Sequence, residues 1–255
     1  MKALICDIDG VILQDEQALP GARELVQLLI GDAWRVLFLT NFSSQTPADI
    51  RNRFLSSGID VPPECIYTSA IATAEFLQRQ PSDRRRAFVV GEGALIHALY
   101  GAGFTLSDTE ADFVIVGETR AYNFEMIQRA AHLIRGGARF VATNPDVAGP
   151  RGRPSCGAFT APIERITGKQ PFVVGKPNAF MMRAALRHLG AHSEETWMVG
   201  DNMDTDIIAG VQTGMTTVLV LSGVSREDDL VRYAYRPDHV VPDAHALAAL
   251  LRKQR

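Results

Sequence analysis

Ala3-Leu4-Ile5-Cys6-Asp7-Ile8-Asp9-Gly10 is the stretch on which the fold turns. Four apolar residues in a row suit a strand covered on both faces, and the run then meets two acids two positions apart. Side chains at i and i+2 of a strand point to the same side. Asp7 and Asp9 therefore converge at the C-terminal end of a buried strand, where a divalent cation would relieve their repulsion. In open α/β sheets that end of the strand is where ligands bind. Gly10 then permits a sharp turn or a close backbone approach.

Outward from this strand, comparable runs recur at Val36-Leu37-Phe38-Leu39, Phe88-Val89-Val90, Phe113-Val114-Ile115-Val116, Phe140-Val141-Ala142, Phe172-Val173-Val174, Met198-Val199 and Thr217-Val218-Leu219-Val220-Leu221. Helix signals lie between them. Pro20-Gly21 precedes a periodic stretch over 23–30 that stops at Gly31. Thr46-Pro47-Ala48-Asp49 has a capping threonine, a first-turn proline and an acid three residues on, for a helix ending near Gly58. Residues 244–251 read as an amphipathic helix that finishes the core. Strand–helix alternation predicts an α/β fold, a doubly wound, Rossmann-like parallel sheet.

Three further strand ends carry polar groups. Thr40-Asn41 follows the second strand, where a hydroxyl and a backbone N–H suit an anion's oxygens; a turn or helix cap accounts for the pair equally well. Lys176, in Gly175-Lys176-Pro177, is a candidate point charge for phosphate, although a surface lysine is the plainer interpretation. It is not part of a P-loop, whose Gly-x-x-x-x-Gly-Lys-Ser/Thr pattern is absent from the sequence. Gly200-Asp201-Asn202-Met203-Asp204-Thr205-Asp206 opens a helix expected to run to about Thr213. Acids compensate a helix dipole, and the free N–H groups of a helix start also suit an anion or its metal complex.

The chain has 255 residues, 46% of them hydrophobic and 22% charged, with 26 Lys and Arg against 29 Asp and Glu for a net charge of −3. This apolar fraction excludes a disordered or low-complexity chain. The near-neutral balance provides no broad positive field, so no nucleic-acid polymer is expected as a partner. No apolar run reaches the roughly 18 residues of a membrane span. Charges near the N-terminus argue against a signal peptide. Cys6, Cys65 and Cys156 are odd in number and form no Cys-x-x-Cys pair, which argues against disulfides or a structural zinc. A cytoplasmic protein with inert thiols is the expectation.

The order Asp-x-Asp, Thr-Asn, Lys, Gly-Asp-x-x-x-Thr-Asp resembles the four motifs of the haloacid dehalogenase (HAD) superfamily of phosphatases. The stretches at 6–11, 39–46, 90–97, 114–122, 142–146, 173–177 and 198–210 are similar to the NagD family within it. Asn41 and Lys176 are separated by 134 residues, whereas a βαβ crossover needs roughly 30. The surplus, with its runs at Phe88, Phe113 and Phe140, makes a second α/β module. The resemblance implies a C2-type cap at 80–172, inserted into a core of 1–79 and 173–255. A polar stretch at 81–86 and a boundary near 168–171 mark its ends.

The resemblance also implies a chemistry. Asp7 would be the nucleophile that forms an aspartyl-phosphate, and Asp9 the acid and then the base. Mg²⁺ would be held by Asp7, the Asp9 main-chain carbonyl and Asp201. Thr40, the Asn41 N–H and Lys176 would hold the phosphoryl oxygens, with Asn202 and Thr205 in support and Asp206 orienting Lys176 or a metal-bound water. Substrates would be small phosphomonoesters, ribonucleoside 5′-monophosphates such as UMP and GMP foremost. Asn144 and Asp146, in Thr143-Asn144-Pro145-Asp146, are candidates for substrate contact, or else residues of a simple turn. A monomer is favoured over an oligomer.

Other functions compete. A HAD phosphatase acting mainly on sugar phosphates, or a HAD phosphotransferase, would carry the same motifs. A dinucleotide oxidoreductase is suggested only by Gly91-Glu92-Gly93, and Ile96 breaks the Gly-x-Gly-x-x-Gly pattern. A non-catalytic binding protein would have no need of the full set of catalytic groups.

Overall fold

The computed structural model describes residues 2–31 and 34–254. The chain divides into two compact units. One comprises Met1–Thr40, Pro47–Tyr67 and Lys176–Arg255, the other Asn41–Thr46 and Thr68–Gly175.

The strands in chain order begin with β1 (Ala3–Asp7), a short hairpin of β2 (Leu13–Gln14) and β3 (Gln17–Ala18), β4 (Arg35–Thr40) and β5 (Ile66–Thr68). Then follow β6 (Arg86–Val90), β7 (Thr105–Leu106), β8 (Phe113–Val116), β9 (Arg139–Ala142) and β10 (Phe172–Val173). The last are β11 (Thr196–Gly200), β12 (Thr216–Val220) and β13 (His239–Val241). The helices are α1 (Ala22–Ile30), α2 (Pro47–Ser56), α3 (Ser69–Gln78), α4 (Gly93–Gly101) and α5 (Phe124–Arg135), then α6 (Cys156–Thr167), α7 (Ala179–Leu189), α8 (Ile208–Thr213) and α9 (Ala244–Arg252).

In the first unit the sheet order is β13-β12-β11-β1-β4-β5. β1 is parallel to both its neighbours, β11 and β4, and every residue of it is buried. That explains why the run is apolar throughout rather than alternating. Leu4 and Cys6 join Val36, Phe38, Leu25, Leu29, Leu247 and Leu251 in one core cluster under α1 and α9. Each such fully buried aliphatic side chain contributes about 1.5–3 kcal/mol. Strand alternation sends Ile5 and Asp7 to the opposite face.

In the second unit β10-β9-β8-β6-β7 form a sheet that is parallel at every pairing. Phe88, Val114, Phe140, Leu133 and Phe159 are among the residues that fill its core beside α5 and α6. The division differs from an insert at 80–172. α3 packs against α4, and the 41–46 segment is hydrogen-bonded to Glu118, Asn144 and Asp146, so both group with the second unit. The polar stretch at 81–86 leads straight into β6, and Arg84 and Arg86 both pair with Glu110. Among the described residues no helix is long and apolar enough to cross a membrane.

Candidate active site

Parallel strands of matched register deliver their ends to one edge. Asp7 closes β1, level with Leu39 of β4, and Thr40 follows directly; Val199 of β11 lies opposite Cys6 and is followed by Gly200 and Asp201. After Asp201 the chain turns through a π-helical segment, Met203–Ile207, into α8. Single π turns recur at functional sites because they re-aim side chains within a helix. Here the turn buries Thr205 and Asp206. Asn202 caps it, its Oδ1 accepting the Asp204 N–H at 2.9 Å, while its own N–H donates to Asp206 Oδ2 at 3.2 Å.

Lys176 joins these ends. Its Nζ donates to Asp7 Oδ1 and to Asp206 Oδ1, each at 2.6 Å, and the residue is only 2% exposed. Oxygens of Asp7, Asp201 and Asp206 lie within 4.8 Å of one another. The close packing explains three glycines. A Cβ at Gly10 or at Gly223 would overlap the Asp201 carboxylate, and one at Gly200 would overlap Asp206. Gly10 also has a φ of 85°, open to glycine at no steric cost. The Val224 N–H fixes Asp201 Oδ2 at 2.7 Å.

Three carboxylates face one ammonium, so among the described residues acids outnumber cations in this group. Burial pushes the Asp7 carboxyl well above the usual range; Lys176 pulls it back, and Asp206 and Asp201 push it up again. Burial, and next Asp206, raise Asp201 to about 7. Burial alone would lower the Lys176 pKa, but Asp206 and Asp7 outweigh it and hold the ammonium charged. A cluster of hard oxygen donors in which acids outnumber cations fits a divalent cation. The adjacent Cys6 thiol is pushed well up by burial first and then by Asp7, so it is no competing nucleophile.

The remaining expected residues divide. Thr40 is buried at the end of β4. Asp9 lies outside the carboxylate cluster, paired through Oδ1 with Arg53 Nη2 at 2.7 Å. Asn41 belongs to the second unit, where its carbonyl accepts Asn144 Nδ2 at 2.7 Å and its own Nδ2 donates to Asp146 Oδ2 at 3.0 Å. Asn144 is wholly buried, with its amide given to Asn41 and Glu118. In this structure it is an internal node, bonded within the second unit. Arg53, Glu118 and Gly223 went unsuspected in the sequence, since a lone charge or glycine names no partner until the chain is folded.

Known proteins match nearly the whole chain. The haloacid dehalogenase-like hydrolase family matches residues 4–105, and the related HAD-hydrolase-like family matches residues 173–247. The ribonucleotide monophosphatase NagD of Escherichia coli is 53% identical over 242 residues, which cover 95% of this chain and 96% of that protein. Its solved structure superposes with a TM-score of 0.92, covering 96% of this chain and 97% of the other. A dihydroxyacetone phosphatase of Corynebacterium glutamicum is 47% identical, over 96% of this chain and 90% of that protein. A glycerol phosphate phosphatase of Mycobacterium tuberculosis, solved in complex with magnesium, is 29% identical with a TM-score of 0.90, covering 98% of this chain and 78% of its own.

Proposed function

The chain belongs to the NagD family of haloacid dehalogenase-like phosphatases, hydrolases of phosphoric monoesters, and we propose that its preferred substrates are ribonucleoside 5′-monophosphates such as UMP and GMP. The 53% identity to a ribonucleotide monophosphatase supports that substrate class. The observation that carries the chemistry is the group Asp7, Lys176, Asp201 and Asp206, closed around one point and short of positive charge.

In this mechanism an Asp7 carboxylate oxygen attacks phosphorus in line, and the bond to the ester oxygen breaks. Asp9 gives its proton to the departing oxygen, then takes one from the water that hydrolyses the aspartyl-phosphate and releases inorganic phosphate. Lys176, Thr40 and the Asn41 N–H hold the phosphoryl oxygens, and Asn202 and Thr205 support the same group. Asp206 keeps Lys176 aimed at Asp7. A divalent cation, Mg²⁺ in this proposal, would be held by Asp7, the Asp9 carbonyl and Asp201, and would neutralise the charge that keeps carboxylate and phosphate apart. The second unit acts as the cap that chooses the leaving group. The enzyme works in the cytoplasm, as a monomer, on free small-molecule esters.

The test is kcat/KM over a panel of UMP, GMP, dihydroxyacetone phosphate, glycerol phosphate and sugar phosphates with Mg²⁺, for the native enzyme and for Asp7→Asn. Highest values on the nucleotides, and loss of at least about 10³-fold in a folded Asp7→Asn variant, are expected. A higher value on dihydroxyacetone phosphate would move the substrate toward the Corynebacterium relative. Near-native turnover by Asp7→Asn would remove Asp7 as nucleophile.

A further inference from the structure

We propose that Arg53 is a positioning residue for Asp9, clamping one carboxylate oxygen so that the other is the one presented for proton transfer. The inference rests on Asp9 acting as the acid and base. Its two oxygens are inequivalent in the fold. Oδ1 accepts the Arg53 Nη2 at 2.7 Å. Oδ2 is buried and has no hydrogen-bond partner. A buried polar atom left unpaired costs about 1–3 kcal/mol, so one that persists calls for a reason. An oxygen kept clear for a travelling proton is such a reason.

Arg53 is itself held. The same Nη2 donates to the Asp15 carbonyl at 2.7 Å, at the tip of the β2–β3 hairpin. Asp15 has a φ of 57°, a left-handed conformation that a non-glycine residue keeps only when its surroundings fix it. Just beyond the end of α2, Ser57 Oγ donates to the Glu16 carbonyl at 2.7 Å, and Arg23 Nε donates to the Ser57 carbonyl at 2.9 Å. Helix end and hairpin thus form one bracket behind Asp9. Arg53 and Asp9 side chains are only 16% and 18% exposed, which limits screening by solvent. A rigid guanidinium fixes the carboxylate plane better than the flexible stem of lysine.

The bonds that form the bracket end on Asp9, Asp15, Glu16 and Ser57, so its loss should spare attack on phosphorus and harm proton delivery. An alkyl phosphate needs that proton, because an alkoxide leaves poorly; p-nitrophenyl phosphate does not, because nitrophenolate leaves unaided. The readout is kcat/KM, which reports steps up to the first irreversible bond cleavage. Arg53→Met should lower kcat/KM about tenfold or more for the best alkyl phosphate of the panel, and less than about threefold for p-nitrophenyl phosphate. Arg53→Lys should recover part of the loss. It also serves as the second variant if Arg53→Met fails to fold, by showing the same selectivity in milder form. Equal losses on both esters, or no loss on either, in the folded variants would overturn the proposal. Asp9→Asn separates the two levels. If it too is unselective, the acid assignment of Asp9 fails; if it is selective while the Arg53 variants are not, only the role of Arg53 fails.

Discussion

Asp7 in the first unit and Glu118 in the second are both buried acids, each 8% exposed, in opposite surroundings. Glu118 accepts the Ser43 N–H at 2.9 Å and the Ser43 hydroxyl, Asn144 Nδ2 at 2.6 Å and Ser155 Oγ at 3.1 Å. Neutral donors saturate it, and the three segments they come from are tied together. Asp7 instead shares one ammonium with Asp206 and has Asp201 beside it. Burial is common to both; saturation is not. An acid whose lone pairs are all taken holds structure. Acids crowded together, short of positive charge, are poised to bind something.

Lys176→Met should break the contrast most severely. Removing one partner from a buried ionic group costs about 3–5 kcal/mol. In urea unfolding near pH 8 the loss should fall in that range, and turnover should drop on the order of 10³-fold. The destabilisation should shrink in acid, where Asp7 and Asp201 take up protons. Glu118→Gln comes next. Its amide must point two donors into a site built of donors, for a loss of about 1–3 kcal/mol. Metal affinity measured by calorimetric titration should remain native. If Glu118→Gln proved costlier than Lys176→Met, or weakened metal binding, the separation of structural from functional acid would fall.

The smallest effect sharpens the contrast through pH. Asp201 has a folded-state pKa raised to about 7, and that of Asp7 is also raised. An acid shifted upward on folding stabilises the fold while protonated. That contribution is full below the ordinary aspartate value of about 4 and is lost as pH rises through about 7. A divalent ion held by the deprotonated acids, as proposed, would offset the loss. The rise in Tm on adding Mg²⁺ should therefore be larger near pH 8 than near pH 5.5, at roughly 2–4 °C per kcal/mol. An equal rise at both pH values would mean that the acids are not the ion's ligands.

Much of this was legible in the chain itself. Each long apolar run became a strand, because a strand buried on both faces has nowhere to put a polar residue. The hairpin, β5 and β13 were not legible. Ile66-Tyr67-Thr68 and His239-Val240-Val241 are short and mixed, and pairing with long neighbours decides them. The acids of the site stood out because they interrupt or directly follow apolar strands. Arg53 sits in the last turn of α2, where any surface helix carries a basic residue, and only the tertiary approach of Asp9 and Asp15 distinguishes it. The internal bonds of Asn144 were hidden for the same reason, since Asn-Pro-Asp reads as an exposed turn until Glu118 and Asn41 close on it. The start of the second unit at Thr68 was hidden because α3, which follows it, has small residues Ala70, Ala72 and Ala74 that mark no change in composition.

The register of β1 has a consequence for how the enzyme is made. Ala3 lies opposite Thr196, so β1 waits for nearly two hundred further residues before β11 can enclose it on its second side. Most of the second unit, 68–175, is a continuous segment that can close in the meantime. Pairing across so long a stretch of chain is slow, and loop closure must precede any gain from contact. A nascent or truncated chain ending before Lys176 has Asp7 but neither its ammonium partner nor Asp201. If the proposed roles hold, chemical competence waits for the Asp201 segment to be made, long after Asp7.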